Sequence, residues 1–182
     1  MSLEIWKKAS PMRKRILSIV AILIIAIIIT LIGSLTPMDP QQASQISNDL
    51  NQTVTTASQS GALTQYIFGN NFIICLIMFI PIVGPLLGFY VHFNTGTVFG
   101  AIATAGGYPS IVAFVALFLT PIAWLEFASY STAIAESVWL FRRITQGRSR
   151  RELKNAAVFV SICAVLLLLG AIIETALISI GA

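Results

Sequence analysis

The lysines and arginines of this chain fall into two clusters that flank long apolar stretches. All eleven basic residues lie within segments 7–15 and 142–154. Basic clusters beside apolar runs are typical of the cytoplasmic ends of membrane-spanning helices. The chain is 57% apolar and 10% charged, with a mean hydropathy of +0.88, which excludes an ordinary soluble domain. We therefore expect an all-α, polytopic transmembrane helix bundle with its N-terminus inside.

The basic clusters supply the topology anchors of this prediction. A nucleic-acid-binding protein needs basic residues spread over a docking face, so nucleic acid is not expected as a partner. The lipid bilayer is the expected partner, and the plasma membrane is the expected location of this multi-pass chain. The predicted anchors are Arg13, Lys14, Arg15, Arg142, Arg143, Arg150 and Arg151.

Charge and length divide the chain into six segments. The uncharged run 16–35 is long enough to cross a bilayer, and it follows a cytoplasmic basic terminus, 1–15. Further segments are an external polar segment (36–69), a core of kinked and broken transmembrane helices (70–141), a cytoplasmic basic loop (142–154) and a last transmembrane helix (155–182). These segments predict about five spans, with one or two of the helices broken.

The external polar segment contains a predicted amphipathic helix. Asp39 followed by Pro40 is a helix-start signal, and Ser60-Gly61 marks the end. A helix lying on the outer face is the favoured interpretation, and a partner-docking helix is the alternative.

Several glycines and prolines in the first half of the core predict helix breaks and close helix contacts. The second span, 71–91, is expected to be broken by Pro81 and Pro85 around Gly84, with a kink at that point, and to end inside near segment 92–96. Small residues four apart share a helix face on which another helix can approach closely. The predicted helix-packing positions are Gly84, Gly88, Gly96 and Gly100.

Segment 97–141 is too long for one crossing and is predicted to cross twice, with Pro121 near the outer boundary. Gly106, Gly107 and Pro109 interrupt the first of these passes about halfway. A broken crossing helix is favoured, and a re-entrant pair of half-helices is the alternative.

Glu126 is the strongest functional candidate. Burying a carboxylate within an apolar span costs free energy, so such a residue usually has a bonding partner or a functional role. Tyr130 lies four residues later, on the same helix face. Three asparagines are candidate hydrogen-bond partners of Glu126, and a role in ion or solute handling is the alternative to such a structural tie. The predicted intramembrane polar site is Glu126, Tyr130, Asn94, Asn71 and Asn70.

The remaining polar residues have plain structural interpretations. Glu136 is predicted to pair with Arg142 or Arg143, and Glu174 is predicted to be exposed at the outer interface. Cys75 and Cys163 are expected to be packing residues. With one histidine, no membrane-protease motif and no phosphate-binding loop, the sequence predicts no metal, no cofactor and no enzymatic activity.

Several of these motifs resemble the stage II sporulation protein M (SpoIIM) family of five-span membrane proteins. The resemblance covers roughly Gly69 to the end and rests on Asn70-Asn71, Asn94-Thr-Gly96 with Gly100, and Pro121 with Glu126. The family usually has His-Gly after the proline, where this chain has Ile122-Ala123. The resemblance implies membership of a membrane complex.

Two functions follow from this sequence as hypotheses. The first is a non-catalytic accessory or scaffold subunit, whose small-residue faces and outer helix dock other membrane subunits or a second copy of the chain. The alternative is a small channel or secondary transporter for an ion or small solute, with Glu126 in its path.

Overall fold

The computed structural model describes residues 10–147 and 149–180, with side chains omitted at positions 11 and 149–151. The predicted anchors Arg150 and Arg151 therefore lie outside the described side chains. Within the described residues the regular structure is entirely helical, as the predicted fold class requires. The helices are α1 (Pro11–Ser34), α2 (Pro40–Gln59), α3 (Leu63–Met78), α4 (Val83–Gly106), α5 (Ser110–Leu119), α6 (Pro121–Ile144) and α7 (Ser149–Ser179).

Among the described residues, three helices are long and apolar enough to cross a membrane: Met12–Ser34, Val83–Gly106 and Glu152–Ser179. The pair α5 and α6, bent by 85° at Thr120, supplies a fourth candidate if it is counted as one span. Helix α3 is a shorter apolar helix of 16 residues. The chain is thus a helical membrane bundle, while the count of five crossings and their orientation stay predictions.

Local signals set the ends of α2. The Asp39 side chain accepts a 2.9 Å hydrogen bond from the backbone N–H of Gln41, and Pro40 occupies the first helical position. Past the last turn, Gly61 adopts φ +68°, a left-handed conformation that glycine adopts without steric cost. The polar segment therefore folds as one helix between Asp39-Pro40 and Ser60-Gly61, as the sequence predicts.

The predicted second span, 71–91, is divided between two helices, and the break expected at Pro81 lies between them. Helix α3 ends at Met78 and α4 begins at Val83, and between them Ile82 has a φ of +71°. Pro81 lies in this break. Pro85 instead lies in the first turn of α4, where a missing N–H removes no helical hydrogen bond, so the kink expected there does not form.

The predicted inner loop at 92–96 is also wrong, because Asn94 and Gly96 lie in the middle of α4. A polar residue beside a glycine resembles a loop signal, but here the glycine allows close helix contact. The interruption expected halfway along segment 97–120 is instead the end of α4. Gly107 caps that helix at φ +71°, and Pro109 precedes the short α5.

Helices α1 and α4 run parallel and meet through glycines. A Cβ on Gly96 would overlap the carbonyl oxygen of Thr30, and one on Gly100 would lie 2.6 Å from that of Ser34. The same contact is made from the other side, where a Cβ on Gly33 would overlap the Phe93 carbonyl oxygen. The backbones therefore touch at these positions, which only glycine allows.

The other end of α4 packs against α6, which runs antiparallel to it. A Cβ on Gly84 would lie 2.6 Å from Ser137 Oγ, and one on Gly88 would overlap the Ile134 side chain. All four predicted packing glycines thus make contacts inside the chain. These small-residue faces are consequently not free to dock a partner, contrary to the first hypothesis.

Candidate functional site

Glu126 lies in the second turn of α6, which Pro121 opens at its first position. The Asn71 side chain on α3 donates a 2.5 Å hydrogen bond from Nδ2 to Glu126 Oε1. Asn70 is exposed, and its amide lies 3.4 Å from Asn71 Oδ1. Asn94 is exposed on α4. Among the three predicted asparagine partners, the structure brings Asn71 to the carboxylate.

Glu126 faces a pocket of about 320 Å³ between four helices. Glu174 of α7 lines the same pocket. The expectation that Glu174 is simply exposed at the interface is therefore wrong, since it is half-buried beside a second carboxylate. The pocket is lined by Thr95, Phe99, Ala116, Leu117, Thr120, Ile122, Ala123, Glu126 and Glu174.

An aromatic layer lies one turn further along α6 from Glu126. Tyr130 is 5% exposed, and the fully buried His92 ring lies 4.5 Å from the Phe127 ring and 5.9 Å from the Tyr130 ring. Thr30 of α1 donates a 3.1 Å hydrogen bond to the His92 carbonyl. Neither ring nitrogen of His92 has a hydrogen-bond partner among the described residues.

Sequence reasoning missed His92 as a core residue. The available signal was its spacing, because His92 continues the four-residue interval of Gly84, Gly88, Gly96 and Gly100 along α4. All five residues are buried. The position therefore belongs to the helix-packing stripe rather than to a loop.

A second polar cluster closes the opposite end of the bundle. Arg15 of α1 donates hydrogen bonds to Glu136 of α6 and Glu152 of α7. Arg143 Nε lies 3.6 Å from Glu152 Oε1. The predicted pairing of Glu136 with Arg142 or Arg143 is wrong, because Arg15 reaches it from another helix. Arg15 is only 6% exposed, so it acts as an interhelical tie and not merely as a surface anchor.

Trp139 packs among the guanidinium groups of this cluster. Its ring centroid lies 5.5 Å from Arg15 and 5.8 Å from both Arg142 and Arg143, distances at which a cation is attracted to the face of an indole ring. Arg13, the other described arginine of the first cluster, is exposed. The cluster thus joins α1, α6 and α7 through both charge and ring contacts.

An apolar core separates the Glu126 pocket from the Arg15 cluster. Its buried members are Cys75, Met78, Phe79, Tyr130, Ala133, Ile134, Cys163 and Leu167. Both cysteines are free and buried. Across the described ranges, no three His, Cys, Asp or Glu side chains come together in a way that would hold a metal ion.

The comparisons with known proteins agree with this architecture at the level of family. No curated protein and no solved structure matches the chain. The sequence model of the family described as stage II sporulation protein M matches residues 16–178, so the likeness extends over α1 and α2 as well as the segment after Gly69. The chain belongs to the stage II sporulation protein M family.

Proposed function

We propose that this chain is a non-catalytic accessory or scaffold subunit of a plasma-membrane complex, and that it docks its partner through α2. The observation that carries the proposal is that a polar, largely exposed helix is fixed firmly to an apolar bundle. Its partner is another membrane subunit or a second copy of the chain.

Helix α2 is held against the bundle near both of its ends. It packs along α4, and Ala43 near its start is fully buried. Near its other end, Val54 and Ala57 pack against a buried cluster formed by α3 and α7. These contacts fix the orientation of the helix before any partner arrives, which lowers the ordering cost of binding.

The exposed surface of α2 is rich in amide and hydroxyl groups. One face carries Gln41, Ser44, Gln45 and Asn48 beside the carboxylate of Asp49, and the whole external segment 36–69 has no lysine or arginine. The amide and hydroxyl groups form hydrogen bonds with a partner without the desolvation cost of charged groups. This polar face supports docking outside the membrane.

The second candidate function is transport through the Glu126 pocket. The pocket and its two carboxylates favour it, because intramembrane carboxylates often line ion or solute paths. The buried core between Glu126 and the Arg15 cluster favours the scaffold. Flux measured in proteoliposomes distinguishes the two functions: transport requires flux that Glu126→Gln abolishes, while the scaffold proposal expects no flux from either form.

Copurification in mild detergent tests the scaffold proposal. The wild-type chain is expected to retain a second subunit of defined mass, or a second copy of itself. The double variant Gln45→Arg/Asn48→Arg should lose that partner, because two cations are placed on the polar face of α2. The control is Gln146→Arg in the turn after α6, which places a cation at an exposed position elsewhere. Isolation of the wild-type chain alone contradicts the proposal.

A further inference from the structure

The pocket beside Glu126 holds two carboxylates and no protein cation. Glu126 on α6 and Glu174 on α7 both line it. All lysines and arginines of the chain lie in segments 7–15 and 142–154, and none of them lines this pocket. Two carboxyl groups without a compensating charge in a membrane bundle either stay protonated or become ionised when a cation binds between them.

The rest of the pocket wall determines which cation fits. Thr95 and Thr120 add hydroxyl groups, while Phe99, Leu117 and Ile122 make most of the wall apolar. The side chains of this wall supply only the lower limit of the about six to eight oxygen ligands that Ca²⁺ requires, and no group of three His, Cys, Asp or Glu among the described residues could hold a metal ion. An organic cation places its charge beside the carboxylates and its hydrocarbon part against the apolar wall.

The size and the geometry of the pocket agree with such a ligand. A volume of about 320 Å³ falls in the range of small-molecule sites in proteins, on the order of 300 to 1,000 Å³. Asn71 holds Glu126 through Oε1, so one of the two carboxylates is already oriented.

We propose that this pocket binds a small organic cation, with an ammonium group between Glu126 and Glu174 and an apolar part against Phe99 and Leu117. The ammonium group belongs to a free amine or to the headgroup of an aminolipid. This binding goes beyond the scaffold role and does not depend on α2 or on a partner subunit.

Calorimetry on the full chain in nanodiscs of phosphatidylglycerol tests the proposal with hexylamine as the probe. Hexylamine is expected to bind saturably, and neutral hexanol at least tenfold more weakly, because only the amine carries a charge. A second arm uses nanodiscs that also contain phosphatidylethanolamine. Weaker hexylamine binding there identifies the aminolipid as a ligand of the site, and unchanged binding identifies the free amine.

Four variants assign the binding to the pocket. Glu126→Gln and Glu174→Gln should each weaken hexylamine binding tenfold or more, and Ala116→Phe should weaken it by filling the pocket. The matched control is Asp49→Asn on α2, which removes a carboxylate outside the pocket and should leave the affinity unchanged. If Glu126→Gln does not fold, Glu174→Gln decides, because Glu174 makes no ion pair in the described part of the chain.

Three results would overturn the proposal. They are the absence of saturable hexylamine binding to the wild-type chain, equal affinity for hexanol and hexylamine, and wild-type affinity in the folded Glu174→Gln variant.

Discussion

The Asn71 amide and the Glu126 carboxylate join α3 to α6 through a 2.5 Å hydrogen bond. This bond gives the Glu126 carboxylate a fixed orientation at the edge of a pocket. Since α3 is a short helix that ends at Met78, the bond also secures its docking on the bundle. The carboxylate at this position therefore has a structural role whether or not the pocket holds a ligand.

Removal of the Asn71 amide is expected to lower the free energy of unfolding. Asn71→Ala leaves Glu126 Oε1 without its donor, and interhelical hydrogen bonds in membrane proteins contribute about 1 kcal/mol. Denaturation in mixed micelles measures the loss. Asn70→Ala is the matched control, because its exposed side chain does not contact Glu126. An equal loss in both variants would contradict the assigned role of Asn71.

Arg15 and Arg13 are expected to differ sharply, although both belong to one basic cluster. Arg15→Gln leaves Glu136 buried without its cation and Glu152 with Arg143 alone, and breaking a buried ion pair from one side costs about 3 to 5 kcal/mol. Arg13→Gln removes the same charge from an exposed side chain and should change the free energy of unfolding by less than about 0.5 kcal/mol. The same denaturation measurement compares them, and similar effects would show that Arg15 is only a topology anchor.

Two glycine-to-alanine substitutions should have opposite effects on the free energy of unfolding. Gly96→Ala drives a methyl group into the α1 backbone at Thr30, and overpacking of this kind costs about 1 to 3 kcal/mol. A Cβ on Gly69 meets no atom within 4 Å, so Gly69→Ala should stabilise α3 by roughly 0.5 to 1 kcal/mol through its helix propensity. Thermal unfolding shows whether each variant is more or less stable than the wild-type chain. A stabilising Gly96→Ala would refute the close contact of α1 and α4.

His92→Leu is expected to stabilise the protein by about 1 kcal/mol, because burial of unpartnered polar groups is costly and leucine fills a similar volume. His92→Ala is the control for lost packing and should destabilise it by roughly 2 to 5 kcal/mol through the cavity it leaves. Unfolding free energies of both variants test this pair. If His92→Leu destabilises the protein as much as His92→Ala, the imidazole makes essential hydrogen bonds through water.

Local signals predicted α2 well because the information is contained in adjacent residues. Asp39 and Pro40 fix the first turn, and Gly61 supplies the conformation that follows the last one. The break between α3 and α4 was predicted at Pro81 and Pro85, but its form was not. It depends on Ile82 in a left-handed conformation, which is rare for a β-branched residue, and Pro85 lies in the helix that follows it.

Tertiary partners were the least predictable part of the site. Spacing along the chain favoured Arg142 or Arg143 for Glu136, whereas Arg15 reaches it from 121 residues away. The proximity of Glu174 to Glu126 depends likewise on how α7 packs against α6. The hydrogen bond from Asn71 was within reach of sequence reasoning only as one of three alternatives, because helix rotation decides which asparagine faces the carboxylate.

Photo-crosslinking from α2 in native membranes tests the central claim most directly. A photoreactive residue at Asn48, on the exposed polar face, is expected to give an adduct of one defined mass. The same residue at Leu169, exposed on the apolar surface of α7, should give no such adduct. Failure of Asn48 to crosslink, or an identical adduct from both positions, would contradict α2 as the docking surface of this subunit.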